Sequence, residues 1–120
     1  MDQYSGYEAL PGQALNGQAT LNENIADLGG LKLAYAAFEA TLPSTGAPGF
    51  TAEQQFFLSY AQLWCASVSD QASTLALAID PHSPPKFRVN GVATNLPQFA
   101  QAFSCPAGAP LAPTDRCEIW

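Results

Sequence analysis

Thr20-Leu-Asn-Glu-Asn-Ile-Ala-Asp-Leu-Gly-Gly-Leu31 opens the longest helical pattern in the chain, and its reading decides how the rest is arranged. In a helix Glu23 and Asp27 stand one turn apart on one face, where two like charges repel by roughly 0.2 to 0.5 kcal/mol. Such a pair calls for a compensating positive group. Further along that face come Gly30, Ala34 and Ala37, small enough for another backbone to approach closely. The opposite face carries Leu21, Leu28, Leu31, Tyr35, Phe38 and Leu42, an apolar stripe for burial. A plainer reading of Glu23 competes, since Thr20-Leu-Asn-Glu23 has capping-box spacing. It leaves Asp27 and the glycines unexplained, because a helical glycine costs about 1 kcal/mol against alanine.

Outward from this stretch the pattern is mainly α. Met1 to Ala19 reads as a loop, with Pro11-Gly12 and Asn16-Gly17 as turn signals and Tyr4 and Tyr7 as packing residues. The first helix runs from about Leu21 to Leu42, and Pro43 to Phe50 ends it. Thr51-Ala-Glu-Gln54 is a second capping box, and Phe56, Phe57, Tyr60, Leu63, Trp64 and Val68 follow at helical intervals, as for a buried helix. Gln71 to Ile79 is compatible with a third helix. Asp80-Pro-His-Ser-Pro-Pro-Lys-Phe-Arg88 reads as a rigid loop, because each proline removes a donor and restricts its predecessor. Asn90-Gly91 marks a turn, Asn95-Leu-Pro-Gln98 opens a short helix with Phe99 and Phe103, and Ser104 to Trp120 is a coil pinned by a buried Trp120 ring.

Composition narrows the function classes. With 48% hydrophobic and 11% aromatic residues, the 120-residue chain is globular and long enough for one modest core. A net charge of −6 with only four Lys+Arg excludes nucleic acid as a partner, since that binding needs clustered cations. No apolar run approaches the ~20 residues that cross a bilayer. Cys65, Cys105 and Cys117 are odd in number and widely spaced, which in an oxidising compartment leaves at least one thiol needing a partner elsewhere. A Cys₃His zinc site through His82 lacks the close cysteine pair usual in structural sites.

Asn-Glu-Asn-Ile-Ala-Asp-Leu-Gly-Gly-Leu31, preceded by Leu15-Asn-Gly17, resembles the third-ligand motif of the neprilysin and endothelin-converting-enzyme family of zinc metallopeptidases. Phe56-Phe-Leu-Ser-Tyr-Ala-Gln-Leu-Trp-Cys65, Asp80-Pro-His-Ser-Pro-Pro-Lys-Phe-Arg-Val-Asn-Gly91 and Cys117-Glu-Ile-Trp120 match the family's closing segments in the same order. The family usually has glycine where this chain has Asn22. The resemblance implies that Glu23 is a zinc ligand and Asp27 a carboxylate orienting a zinc-bound histidine. It implies further that His82 donates to the tetrahedral transition state and that Arg88 holds a substrate backbone carbonyl. Zinc is the implied cofactor, and the substrate is a peptide.

The family's other ligands lie on an HExxH helix, which is absent here; His82 is the chain's one histidine. One carboxylate does not hold catalytic zinc, which takes three protein ligands. The expectation is a single partial domain over residues 1–120, the carboxy-terminal portion of a zincin-type, thermolysin-like catalytic domain: two long helices, shorter helices and a Pro-rich loop. It would be inactive alone and joined to a missing amino-terminal part through Cys65, Cys105 and Cys117, in an extracellular or membrane-anchored ectodomain. Two other classes stay open: a non-catalytic module binding peptides or a partner, and a small secreted protein dimerising through a spare cysteine.

Overall fold

A computed structural model describes residues 1–41 and 48–120. Its first 19 residues are more ordered than a loop. A single turn α1 (Asp2–Ser5) leads into a tight hairpin of β1 (Glu8–Leu10) and β2 (Gln13–Ala14). Pro11-Gly12 is the turn, with Gly12 at a φ of 74° and its amide donating to Glu8 Oε1 at 2.6 Å. Left-handed backbone of this kind is open to glycine at no steric cost. Tyr4 and Leu15 are buried with Phe87 in a small cluster, where Tyr7 stacks on Phe87 at 5.0 Å between centroids.

The decisive stretch forms α2 (Leu21–Ala40). Its buried face is Asn24, Leu28, Gly29, Leu31 and Tyr35. Gly30, Ala34 and Ala37 face outward, and a Cβ built on Gly30 would meet nothing within 4 Å. The close approach expected along their face occurs instead at Gly29, whose Cβ would lie 2.6 Å from Trp120 Cζ2. The tail thus crosses α2 at the first of the two glycines. Trp120 is not the buried ring expected, being 75% exposed; the tail is held by Lys32, whose Nζ donates to the carbonyls of Ile119 at 2.8 Å and Trp120 at 2.6 Å. The expected continuation to Leu42 and the breaker at Pro43 lie outside the described residues.

Three elements complete the main core. α3 (Ala52–Leu63) begins at the capping box expected, with Gln54 N donating to Thr51 Oγ1 at 3.2 Å and Thr51 N to Gln54 Oε1 at 3.1 Å. Phe57 is buried beneath Tyr35, stacked at 5.2 Å, and Phe99 meets it edge-on at 5.4 Å. The helix is half-buried, not buried all round. It ends before Val68, and Leu63 is 79% exposed. α5 (Pro85–Ala93) and α6 (Pro97–Ala102) add Val92, Leu96 and Phe99 to the same core. α4 (Asp70–Ile79) stands apart, touching the small cluster through Leu77 while Leu75 and Ile79 stay exposed.

The expected loop to Arg88 ends early, because Pro85 begins α5. At a first helical position the missing N–H is an orphan anyway and the fixed φ suits the helix. Asn90-Gly91 accordingly lies inside α5 and is not a turn. Gly91 is required there by closeness: a Cβ would fall 2.6 Å from the Tyr4 hydroxyl.

Candidate active-site wall

The first two turns of α2 meet the Asp80–Arg88 segment, and the four residues singled out in the sequence come together as two pairs. Glu23 Oε2 lies 3.1 Å from His82 Nε2, with 38% and 42% of their side chains exposed. One turn on, Asp27 takes both arms of Arg88, Nε to Oδ2 and Nη2 to Oδ1, each at 2.6 Å. These side chains are only 12% and 16% exposed. The arginine supplies the positive charge that the Glu23–Asp27 spacing calls for.

Each partner is braced. Asp80 Oδ1 accepts from the His82 amide at 2.9 Å and sits 2.8 Å from Nδ1, so the imidazole is held at both nitrogens. The His82 amide, then its ring, lower the Asp80 pKa below the usual carboxylate range. Arg88 lies over Trp64, its Cζ 3.9 Å from the ring centroid, a cation–π contact. Its carbonyl accepts from the Tyr60 hydroxyl at 3.0 Å. The hydrogen bond to Asp27 raises the pKa of Arg88 against the opposing cost of burial. Burial chiefly, then the charge of Asp27, pushes Tyr60 up to about 12. The fork spends Nε and Nη2 on Asp27, leaving the N–H groups of Nη1 for another acceptor.

The Thr20–Glu23 capping box does not form. Thr20 Oγ1 donates to the Asn16 carbonyl at 3.1 Å and accepts from Asn24 Nδ2 at 2.9 Å. No side-chain cap is made, and Glu23 is left to face His82.

Sequence reasoning missed five contributors: Asn24, Tyr60, Trp64, Asp80 and Ser83. Asp80 had a legible signal, since an Asp whose carboxylate accepts from the amide two residues on forms an Asx turn. By sequence Trp64 reads as packing alone, yet its ring is the platform under Arg88, and among the described residues its buried Nε1 has no partner. Asn24 and Ser83 join across 59 positions, a pairing no local pattern announces. Among the described residues no three His, Cys, Asp or Glu gather as a metal site.

The profile of peptidase family M13 matches residues 1–119. Neprilysin-3 of Drosophila melanogaster is 46% identical over 98% of this chain and 16% of its own length. Endothelin-converting enzyme 1 of Homo sapiens is 44% identical over 100% of this chain and likewise 16% of its own. The cryo-EM structure of the Mycobacterium tuberculosis zinc metalloprotease Zmp1 in its open state superposes with a TM-score of 0.90. It is 38% identical, over 99% of this chain and 20% of that one. The chain therefore spans about a sixth of the length of these curated relatives. With a profile match along nearly all its residues and relatives above 40% identity, the chain belongs to peptidase family M13.

Proposed function

We propose that this chain supplies one wall of the active site of a zinc metalloendopeptidase that cleaves peptide substrates. The observation that carries the reading is the convergence of Glu23 with His82 and of Asp27 with Arg88, on one helix face, from segments about 60 residues apart. Structural packing alone has no need of four charged or polar groups in that arrangement.

The donors fit one ligand position and not a whole site. Glu23 is a partly exposed hard oxygen donor with Oε2 toward His82, suited to zinc as part of a set of three. The remaining ligands would come from an HExxH segment outside this chain. Zinc, when bound, polarises the scissile carbonyl and brings the pKa of its water toward about 7. Around it, Asp27 fixes Arg88 and is the carboxylate on hand to orient a neighbouring ligand imidazole. His82, steadied at Nδ1 by Asp80, has Nε2 on Glu23 at 3.1 Å, and with Glu23 turned to the metal that nitrogen would donate to the oxyanion, a role worth roughly 3 to 4 kcal/mol where it has been removed elsewhere. Arg88 Nη1 takes a substrate carbonyl in fixed geometry.

The surface supports a larger assembly. The chain leaves 7330 Å² accessible, against about 6,200 Å² for a self-contained monomer of its mass. Leu63, Val68, Leu75 and Ile79 are among its exposed apolar residues. All three cysteines are free, Cys65 and Cys117 on the surface, and would pair with cysteines in the amino-terminal part. An extracellular or membrane-anchored ectodomain is the compartment that suits such pairing; among the described residues no helix is long and apolar enough to cross a membrane.

The test joins residues 1–120 to an M13 segment bearing HExxH. Glu23→Ala should abolish both bound zinc and peptide cleavage, and Arg88→Ala should raise KM. Retention of stoichiometric zinc and turnover by Glu23→Ala would refute the assignment. The 120-residue chain with added zinc should not cleave peptides.

A further inference from the structure

One buried polar bond lies directly behind the Glu23–His82 pair, and neither of its partners enters the reading above. Ser83 Oγ donates to Asn24 Oδ1 at 2.7 Å; Ser83 is 2% and Asn24 6% exposed. Asn24 Nδ2 passes the chain on to Thr20 Oγ1 at 2.9 Å, and Thr20 Oγ1 donates to the Asn16 carbonyl at 3.1 Å. Each donor has one acceptor in turn, which fixes the Asn24 amide in one orientation. A row of three buried polar side chains is expensive unless every member is satisfied. Here all are.

Position gives this row its meaning. Asn24 follows Glu23 in the helix, and Ser83 follows His82 in the loop, so the bond ties together the two backbones that carry the facing pair. On the other side of His82 the Asp80 carboxylate closes an Asx turn onto the His82 amide. Pro84 restricts the backbone of Ser83 itself. His82 is therefore mounted between two anchors on a segment with little freedom left. Its own half-exposed ring contacts would not hold it so firmly, because exposed ion pairs contribute little.

We infer that Asn24 and Ser83 are positioning residues, which set the distance and angle between His82 and Glu23 and act on peptide hydrolysis only through them. The inference rests on the reading of Glu23 and His82 given above. Loss of comparable outer-layer partners costs about 10- to 100-fold in activity or metal affinity.

Two arms test it separately. In the 120-residue chain, ¹³C relaxation of the His82 Cε1–H reports how firmly the ring is mounted. Ser83→Ala should lower that order parameter, and Ser83→Thr, which keeps the hydroxyl donor, should preserve it. Should Ser83→Ala not fold, Ser83→Cys, close in size but with a much weaker donor to Asn24 Oδ1, should lower it instead. In the polypeptide joined to HExxH, Ser83→Ala should lower kcat about 10- to 100-fold with KM within about threefold. Placed on His82→Ala, the same change should cost less than about twofold more. An unchanged order parameter, or kcat losses that multiply in the double variant, would overturn the inference. Absence of cleavage by the unsubstituted joined polypeptide would sink the peptidase reading and leave the relaxation arm to decide this one.

Discussion

Removing one side of the Asp27–Arg88 pair is the most informative perturbation of the wall. Both bonds are 2.6 Å long and the side chains are only 12% and 16% exposed, so the pair is close to buried. Deleting one partner of a buried pair typically costs about 3 to 5 kcal/mol, because a charge is left without its counter-ion. Residual solvent and the Trp64 face, which keeps hold of the guanidinium, soften that cost. For Asp27→Ala the expected loss of unfolding free energy is about 2 to 3 kcal/mol, a fall in Tm of about 10 °C for a chain of this length. Arg88→Ala should cost a similar amount, since it also uncovers Trp64. The double variant should lose less than the two added together, with a coupling of about 1.5 kcal/mol or more. Urea unfolding of the four proteins, followed by circular dichroism, measures each corner of the cycle. Coupling below about 0.5 kcal/mol, the range of independent sites, would refute the claim that the two groups are held as a pair.

Three further outcomes follow from the coordinates. Gly30→Ala, with open space around its Cβ, should stabilise by about 0.5 to 1 kcal/mol through helix propensity, whereas Gly29→Ala must displace Trp120 and should free the tail to hydrogen exchange. Both are read by thermal scans with amide exchange. Thr51→Ala removes a complete capping box and should cost about 1 kcal/mol in urea unfolding. Tyr60, pushed up to about 12 by burial, contributes stability that is fully present below the ordinary phenol pKa near 10. That contribution is lost as pH rises from about 10 through 12, so unfolding followed across this window should show an alkaline limb that Tyr60→Phe reduces.

Much of this arrangement was legible because the chemistry is local or the pattern periodic. The Thr51–Gln54 box, the helix ending at Ile79 and the shared face of Glu23 and Asp27 need only spacing to be read. Three features were not, each for a physical reason. Proline counts against a helix interior but suits its first position, so Pro85 read as loop while it starts α5 and places Arg88 on a helix. Thr20 has the spacing of a cap, yet its hydroxyl is engaged by Asn24 and Asn16, local partners four residues to either side that outcompete the capping geometry. Gly91 after asparagine reads as a turn, while its missing side chain makes room for Tyr4, far away in sequence. The Asn24–Ser83 bond belongs with these, since two unremarkable polar residues carry no sign of being buried together.

The start of α5 at Pro85 fixes more than a boundary. His82 stands on the loop side of that start and Arg88 on the helix side, and each must reach an acid one turn apart on α2. Adding or deleting one residue between Pro85 and Arg88 would swing the guanidinium by about 100° around the helix axis and carry it off Asp27, with His82 still in place. Connecting loops ordinarily tolerate insertions and deletions. Here the count of residues is itself the measuring rod, and it admits substitution far more readily than any change of size.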